Sequence, residues 1–376
     1  MSLKVLIVPD KFKGTLTAQA AAELIARGWQ EARPEDRMEL LPMSDGGDGF
    51  GEVLSRLLAV EVQTTSTVDA AHGPRSAQWW WEPKSKTAII ESAQIVGLAL
   101  LPPGKYHPFA LDTFGLGNVI QAAVESGAQR CLIGIGGSAT NDAGFGLARA
   151  LGWKFTGETG APIHAWTELA SLRQIIPPEK RRTPAEVVVA VDVQNPLLGE
   201  RGATRIYGPQ KGIRPEDFAT AESCLERLAK VAVADLRLAQ PSVPGDGAAG
   251  GLGFGLRCFL GARLESGFNL FARYARLEAR IQAADLVITG EGAIDASTLM
   301  GKGVGEIANL CRLHRVPCLG LAGTLALSPA AESTSEKFAR AYGIVPQLTS
   351  AELAKNEASV WLPRLAAQAA RDWPAA

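Results

Sequence analysis

This sequence has no long apolar run and no excess of charge of either sign. Its 38 Lys and Arg residues are matched by 39 Asp and Glu residues, for a formal net charge of -1. A membrane-spanning helix needs roughly 20 apolar residues in a row, and binding to nucleic acid or an anionic membrane usually needs a basic surface. The opening stretch M-S-L-K-V-L-I-V-P-D lacks a signal-peptide pattern, because its apolar part is short and ends in Pro-Asp. We therefore expect a cytoplasmic protein that binds neither nucleic acid nor membrane.

Disulfide and zinc-binding patterns are also missing. The five cysteines form no C-x-x-C pair, and the four histidines are scattered without metal-ligand spacing. We interpret the cysteines as small core residues of a protein in a reducing compartment, and we expect no histidine-based zinc site.

Familiar nucleotide-binding signatures are absent or incomplete. There is no Walker-A loop, and the H-R-D and D-F-G motifs of protein kinases do not occur. The segment Gly134-x-Gly136-x-x-Ala139 matches a permitted form of the dinucleotide fingerprint. A helix should follow those glycines directly, but the sequence continues T-N-D-A-G, and the acid at the expected distance, Glu158, falls in a predicted turn. The pattern therefore disfavours a dinucleotide site.

Short apolar runs rich in β-branched residues alternate with helical patterns. The runs are continuous, as is typical of strands buried on both faces of a parallel sheet. They comprise residues 5–8, 88–90, 131–133, 187–191, 286–289 and 318–321. The helical patterns include residues 17–31, 115–126, 217–233 and 305–313. With 376 residues, and with single cores rarely growing past about 250–300 residues, the chain is predicted to be an α/β protein of two domains.

Two other segments are interpreted as structural. The three tryptophans at 79–81 are typical of an amphipathic strand, and the Ala-, Glu- and Ser-rich end of the chain predicts peripheral helices.

Polar turns that mix glycine with carboxylates or hydroxyls follow most of the predicted strands. They are P-D-K-F-K-G after residue 8, G-I-G-G-S-A-T-N-D after 133, Asp192 after 191, G-E-G-A-I-D after 289 and A-G-T after 321. Ligands of open α/β sheets bind beyond the carboxyl ends of the strands, so these turns predict an active-site crevice. Helix capping alone would account for one such turn, but not for the whole set.

Two glycine-rich segments, S-D-G-G-D-G at 44–49 and P-G-D-G-A-A-G-G-L-G-F-G at 244–255, lack an obvious preceding strand. Together with the carboxylates and lysines of the turns, they fit phosphoryl transfer, which needs donors for phosphate oxygens, a carboxylate-held Mg²⁺ and a base for the attacking hydroxyl.

Seven segments together resemble the type I family of bacterial glycerate kinases. They are P-D-K-F-K-G-T-L-T-A (9–18), P-M-S-D-G-G-D-G (42–49), I-G-I-G-G-S-A-T-N-D-A-G-F-G (133–146), D-V-Q-N-P-L-L-G-E-R-G-A-T (192–204), Y-G-P-Q-K-G (207–212), P-G-D-G-A-A-G-G-L-G-F-G (244–255) and A-D-L-V-I-T-G-E-G-A-I-D (284–295). All occur in the family's order, and the combination is far more specific than any one segment.

The resemblance implies two α/β domains with mostly parallel sheets around a central cleft, one of them discontinuous in sequence. We expect residues 1–75 with 275–376 to form a Rossmann-like or flavodoxin-like domain, residues 76–274 to form the second, and the active site to lie in the cleft between them. We expect a monomer or a homodimer.

The implied reaction is transfer of the ATP γ-phosphate to D-glycerate with Mg²⁺, at the 2-hydroxyl, giving 2-phosphoglycerate and ADP. Phosphorylation at the 3-hydroxyl or of another small hydroxy acid stays open, partly because Ala293 stands where the family commonly has Arg. The alternatives from other classes are a nucleotide-dependent oxidoreductase that uses the Gly134 loop and a non-catalytic binding protein.

Each predicted site residue has a chemical role and a plainer alternative as a turn, cap or surface residue. The predicted catalytic residues are Asp192, Asp45 and Lys13. Asp48 and Asp192 are the predicted metal ligands. The predicted substrate- or phosphate-binding residues are Gly136, Gly137, Ser138, Thr140, Asn141, Asp142 and Lys211. The predicted nucleotide-binding residues are Glu291, Asp295, Gly247, Gly250 and Gly251. Asp192 is the first choice for the base or metal ligand, because it follows the most uniformly apolar strand.

Overall fold

The computed structural model describes residues 2–47, 49–58, 60–180, 183–295, 298, 303–326 and 337–374. Asp48, a predicted metal ligand, lies outside the described residues. In the described chain, the strands are β1 (Lys4–Pro9), β2 (Arg37–Leu40), β3 (Glu61–Val68), β4 (Pro74–Glu82), β5 (Thr87–Glu91), β6 (Arg130–Gly134), β7 (Lys154–Gly157), β8 (Leu172–Ile176), β9 (Glu186–Ala190), β10 (Arg263–Glu265), β11 (Leu286–Ile294), β12 (Cys318–Leu325) and β13 (Arg340–Gly343).

The α-helices of the described chain are α1 (Ala18–Ala32), α2 (Phe50–Leu57), α3 (Ala93–Val96), α4 (Phe114–Glu125), α5 (Phe145–Ala150), α6 (Ala203–Lys211), α7 (Phe218–Leu236), α8 (Ala248–Leu260), α9 (Gly267–Ala275), α10 (Leu277–Gln282), α11 (Val304–Leu313), α12 (Ile344–Gln347), α13 (Ala351–Asn356) and α14 (Ala358–Asp372). Short 3-10 helices span Leu98–Leu100, Pro108–Ala110, Trp166–Ser171 and Pro215–Asp217. The predicted α/β class with mostly parallel sheets is confirmed.

The chain divides into a split unit, Met1–Asp45 with Phe268–Ala376, and a central unit, Gly46–Gly267. Residues 46–75, which we expected in the discontinuous domain, therefore belong to the central unit. The physical reason is strand pairing: β3 pairs antiparallel with β4 from Glu61 opposite Trp81 to Val68 opposite Pro74.

The split unit is built on a five-stranded sheet with the order β13-β12-β11-β1-β2. Every pairing in it is parallel, as the continuous apolar runs predicted. Thr17 caps α1 by accepting a hydrogen bond from the Ala20 amide (3.1 Å). The expectation of peripheral helices at the chain end is wrong for α14, since Leu362 and Leu365 are fully buried in the core that α1 also lines.

The central unit contains a six-stranded sheet with the order β10-β9-β6-β5-β4-β3. Strands β5, β6, β9 and β10 run parallel, whereas β3 and β4 form the antiparallel edge. The predicted tryptophan strand is β4, in which Trp79 and Trp80 are buried. Strands β7 and β8 form a separate antiparallel pair.

Candidate active site

In the split unit, two carboxylates lie at the carboxyl ends of neighbouring parallel strands. Strand β1 ends at Pro9, which is paired with Gly290 of β11, and the Asp10 amide donates to the Gly290 carbonyl (2.8 Å). Asp10 therefore comes next to Glu291. Strand β11 continues to Ile294, so the G-E-G segment predicted as a turn belongs to the strand itself.

Burial and mutual repulsion raise the pKa values of both carboxyl groups. Burial, with the charges of Asp45 and Glu291, raises the pKa of Asp10 to about 7, against the lowering effect of the Lys11 amide and ammonium. Burial, with the charges of Asp295 and Asp45, raises the pKa of Glu291 to about 6. The clustered negative charges of Asp10, Asp45 and Glu291 thus favour the binding of a cation or a proton at these strand ends.

Three further predicted residues lie close to these strand ends. A Cβ atom at Gly292 would lie 3.3 Å from the Lys13 amide nitrogen, so the P-D-K-F-K-G turn passes over the end of β11. The Thr298 hydroxyl donates to Glu291 Oε1 (2.8 Å), and the Thr298 amide lies 3.4 Å from Asp295 Oδ1. Asp45 acts on both Asp10 and Glu291 through its charge.

In the central unit, the carboxyl ends of β5, β6 and β9 are level with one another. Glu91 is paired with Gly134, and Gly134 with Ala190. The glycine-rich loop 135–144 and Asp192 follow these strand ends, and Gly46, Gly47 and residues 49–51 pack at the same edge. The Gly136 amide donates to the Gly46 carbonyl (3.3 Å), and a Cβ atom at Gly136 would lie 2.5 Å from Gly47 Cα. At Gly136, close backbone contact thus requires glycine.

The polar side chains of the glycine-rich loop are buried and bonded to other protein groups. The Ser138 and Thr140 hydroxyls are 2.9 Å apart, and Asn141 Nδ2 donates to Thr204 Oγ1 (3.1 Å). Asp142 Oδ2 accepts from the Thr113 amide (2.9 Å), the Thr113 hydroxyl (2.7 Å) and the Gly146 amide (2.9 Å). Gly137, at φ 74°, accepts from the Leu98 amide (2.8 Å). Substrate binding by these residues stays a prediction.

Lys211 lies beneath this loop rather than on the protein surface. Its side chain is buried, and its ammonium donates to the Thr140 carbonyl (2.6 Å). Burial lowers the pKa of Lys211 to about 7, and the Asp142 charge opposes that shift. Burial and the Asp112 charge raise the pKa of Asp142 to about 6, against its bonds to Gly146 and Thr113. The lysine predicted to bind phosphate is thus a buried tether of the loop.

The glycines predicted to bind nucleotide pack tightly against neighbouring backbone. Ala249, Gly250 and Gly251 are all left-handed, with φ of 55°, 71° and 85°. A Cβ atom at Gly250 would lie 1.9 Å from the Thr140 carbonyl oxygen, and one at Gly247 would lie 2.1 Å from the Pro196 carbonyl oxygen. Packing accounts for these glycines, and nucleotide contact by them stays a prediction.

Asp192 follows β9 at the same edge. Its Oδ1 accepts from the Ser266 hydroxyl (2.9 Å) and the Gly267 amide (3.1 Å). One carboxylate oxygen thus fixes the turn that follows β10.

A family model described as the glycerate kinase family matches residues 5–374. The chain belongs to the glycerate kinase family. It is 35% identical over 373 residues to the glycerate kinase of Halalkalibacterium halodurans, with 96% of each chain covered. It is 38% identical over 328 residues to the glycerate 2-kinase of Escherichia coli, with 86% of each chain covered.

A solved structure supports the same family at the level of fold. A crystal structure from Salmonella typhimurium LT2, described as a "putative glycerate kinase 2", matches with a TM-score of 0.81 at 32% sequence identity. The match covers 98% of this chain and 97% of the other. The resemblance drawn from the seven segments is thereby confirmed, and the chain is an enzyme of the kinase class.

Membership of the glycerate kinase family decides against the oxidoreductase alternative. The fold agrees, because α5 begins only at Phe145 and does not start directly after the glycines that end at Gly137. Within the described ranges, no helix is both long enough and apolar enough to cross a membrane.

The sequence analysis did not single out two carboxylates that lie at these strand ends, Asp10 and Glu91. In the sequence Asp10 appears only as part of a predicted turn. It nevertheless follows β1 directly, and a position just after an apolar strand is the signal that led to the prediction for Asp192. Glu91 ends β5 and is buried, but a single Glu after a short apolar run gives no distinctive signal.

Proposed function

We propose that this protein transfers the γ-phosphoryl group of ATP to the 2-hydroxyl of D-glycerate, with Mg²⁺, to give 2-phosphoglycerate and ADP. The bond between the hydroxyl oxygen and the γ-phosphorus forms, the bond between that phosphorus and the β,γ-bridging oxygen breaks, and the hydroxyl proton passes to a carboxylate. Relatives named glycerate kinase and glycerate 2-kinase along most of the chain support the substrate class.

The observation that carries the proposal is that Asp10 and Glu291 lie side by side at the carboxyl ends of β1 and β11. Two carboxyl groups with raised pKa values, at the ends of parallel strands, lie where ligands of α/β sheets bind. Within the described part of the chain, which excludes Asp48, no three His, Cys, Asp or Glu side chains converge as ligands. The pair of carboxylates, Asp10 and Glu291, fits Mg²⁺, which kinases hold through one or two carboxylates, waters and substrate phosphates.

In this proposal Asp10 and Glu291 are the carboxylates of the split unit that would hold Mg²⁺, and Asp48 and Asp192 stay predicted metal ligands. When bound, the ion would neutralise charge on the transferring phosphoryl group. Lys13 faces the phosphates as a cation, and Asp295 supports the nucleotide side. Asp192 and Asp45 are the carboxylates available to take the hydroxyl proton.

The glycine-rich loop supplies the proposed binding surface for the hydroxy acid. Gly136 and Gly137 allow close approach of the ligand to the backbone, and Ser138 lies at the start of the polar run. Lys211 and Asp142 hold the loop from beneath. Gly247, Gly250 and Gly251 keep the neighbouring loop close against it.

The test is ADP release from ATP and Mg²⁺ with and without D-glycerate, followed by phosphorus NMR of the product. ADP formation that depends on D-glycerate, with 2-phosphoglycerate as product, is expected. A 3-phosphoglycerate signal would correct the position of transfer, and ADP release only with another hydroxy acid would correct the substrate. Folded protein that releases no ADP with any hydroxy acid would overturn the proposal.

A further inference from the structure

Glu91 joins the end of strand β5 to the start of helix α2. Its carboxylate is buried at 2% exposure. Oε1 accepts from the Gly49 amide (2.9 Å), and Oε2 accepts from the Gly51 amide (3.0 Å). Both carboxylate oxygens thus bind backbone of one short segment far away in sequence.

The amino terminus of helix α2 needs a capping side chain from elsewhere in the chain, because its own N-cap residue cannot supply one. Gly49 is the N-cap residue of α2, with φ 89°, and it has no side chain to accept a hydrogen bond. The first amides of a helix lack intrahelical partners and carry partial positive charge, so a carboxylate there is stabilising. Glu91 takes the place of the missing capping side chain.

Gly46, Phe50 and Gly51 also pack closely at the same sheet edge. A Cβ atom at Gly46 would lie 2.8 Å from Ala190 Cβ, and one at Gly51 would lie 1.9 Å from Trp80 Cζ3. Phe50 is buried against Gly134, where a Cβ atom would lie 2.6 Å from the Phe50 ring. The packing is close at these positions, but packing alone does not fix the backbone dihedral angles of a glycine-rich segment.

We propose that Glu91 is a positioning residue that fixes the start of helix α2, at Gly49 and Gly51, on the carboxyl edge of the central sheet. The inference rests on the proposed function, because Asp48, which directly precedes Gly49 in the sequence, is a predicted ligand of the Mg²⁺ that the reaction needs. Four of the six residues 46–51 are glycine, which gives this part of the chain more backbone freedom than other sequences have, and the two Glu91 bonds restrict that freedom at Gly49 and Gly51.

The test compares Glu91→Gln with a matched control, Glu82→Gln. Glu82 ends β4 in the same sheet, is buried at 7% exposure, and accepts from the amides of Lys84 (3.0 Å) and Ser85 (2.6 Å). Glutamine keeps one carbonyl acceptor and presents an NH₂ group to the second amide. Both variants therefore lose about one backbone hydrogen bond and one buried charge, and only the first affects segment 46–51.

The first readout is hydrogen exchange in the peptide that covers residues 46–57, which does not depend on activity. Glu91→Gln is expected to exchange about tenfold faster there, the scale of one lost charge-assisted bond, and Glu82→Gln to match the wild type. The second readout is the Mg²⁺ concentration for half-maximal ADP release. It should rise about tenfold in Glu91→Gln and stay within about twofold in Glu82→Gln.

Faster exchange together with a raised Mg²⁺ requirement supports the proposal. Unchanged exchange in Glu91→Gln overturns it, and so does faster exchange with unchanged Mg²⁺ dependence, since a purely structural cap would give that result. If the wild-type protein releases no ADP with D-glycerate, the proposed function fails, and hydrogen exchange alone then decides whether Glu91 holds the segment.

Discussion

The ammonium of Lys211 donates a hydrogen bond to the carbonyl oxygen of Thr140 across 2.6 Å, in a buried position. A lysine is normally found on the surface, where its charge is hydrated. Here its amino group holds the polar centre of the glycine-rich loop through that hydrogen bond. The structure thus gives this lysine a place in orienting the loop, and its predicted contact with phosphate stays a prediction.

Lys211→Met is expected to raise the KM for D-glycerate about tenfold and to leave the KM for ATP within about twofold. Loss of a hydrogen bond from a charged donor is worth roughly 1.5–3 kcal/mol, and the loop would lose its orientation without losing its fold. The free energy of unfolding should change little, because two effects oppose each other. Methionine has a similar volume and removes the cost of a buried charge, but it leaves the Thr140 carbonyl without its hydrogen bond.

Steady-state kinetics with each substrate varied in turn measures this, with Lys154→Met on the exposed edge of β7 as the control. A raised KM for ATP with an unchanged KM for D-glycerate would show that Lys211 reaches a phosphate after all.

Asp142→Asn is expected to change the pH dependence of stability. The pKa of Asp142 is about 6 in the folded protein against an ordinary value of 3.8, so the folded state binds more protons between these values. Folding stability from this group therefore falls as pH rises from about 4 to about 6, by up to about 3 kcal/mol at roughly 1.4 kcal/mol per pKa unit. Asparagine cannot ionise and removes the slope.

Urea unfolding at pH 4, 5, 6, 7, 8 and 9 checks this prediction and the one for Lys211 below. The unfolding free energy of Asp142→Asn minus that of the wild type should rise with pH and level off above about 6. For Lys211, whose pKa is lowered to about 7, the sign is opposite: the wild type gains stability as pH rises above about 7, so the difference for Lys211→Met should fall there. A difference for Asp142→Asn that is flat from pH 4 to 7 would contradict the first assignment.

Much of the fold could be predicted from sequence because the relevant patterns are local. Continuous β-branched runs marked β1, β6 and β9, and the residues directly after them mark the ends where ligands bind. The same rule would have found Asp10. The position of residues 46–75 could not be predicted, because β3 joins the central unit through pairing with β4, and composition carries no trace of a pairing partner.

The roles of single residues depended on contacts that a sequence does not display. Lys211 sits in Y-G-P-Q-K-G, which has the composition of an exposed turn, yet its side chain is buried under Thr140. The sequence predicts nucleotide contact at Gly250, which stays a prediction, but it does not reveal that the backbone of Gly250 packs against Thr140 of another loop. In both cases the deciding partner lies far along the chain.

Gly250→Ala should destabilise the protein much more than Gly261→Ala. Both glycines are left-handed, with φ of 71° and 67°, so alanine costs roughly 1–2 kcal/mol of backbone energy at either position. Only at Gly250 does the added Cβ atom clash with backbone, 1.9 Å from the Thr140 carbonyl oxygen, whereas nothing lies within 4 Å at Gly261. Thermal unfolding of both variants measures the difference. Equal melting temperatures, with ATP affinity lost in Gly250→Ala alone, would favour a nucleotide role for this glycine.

Asp10→Asn is expected to raise the Mg²⁺ requirement at least tenfold while raising the melting temperature without Mg²⁺. It removes one charge from carboxylates that repel one another, and such relief at a functional site commonly stabilises the fold. Asp285→Asn is the control: Asp285 precedes β11 at the opposite end of the same strand and accepts from the Lys4 amide (2.8 Å). Normal Mg²⁺ dependence in Asp10→Asn would remove Asp10 from the proposed metal site.

Asp192→Asn should lower kcat by at least about 10², the usual scale for a general base, without loss of fold. Its Oδ1 accepts from Ser266 and Gly267, and the amide oxygen of asparagine can keep both bonds, so the turn after β10 should persist. Ser266→Ala removes one of those bonds and leaves the carboxylate intact, which separates the structural contribution from the chemical one. The expected result is a large fall in kcat for Asp192→Asn and a small one for Ser266→Ala, measured as ADP release at saturating ATP and D-glycerate. If Ser266→Ala falls as far as Asp192→Asn, the carboxylate serves to hold the turn, and the base must be sought at Asp45.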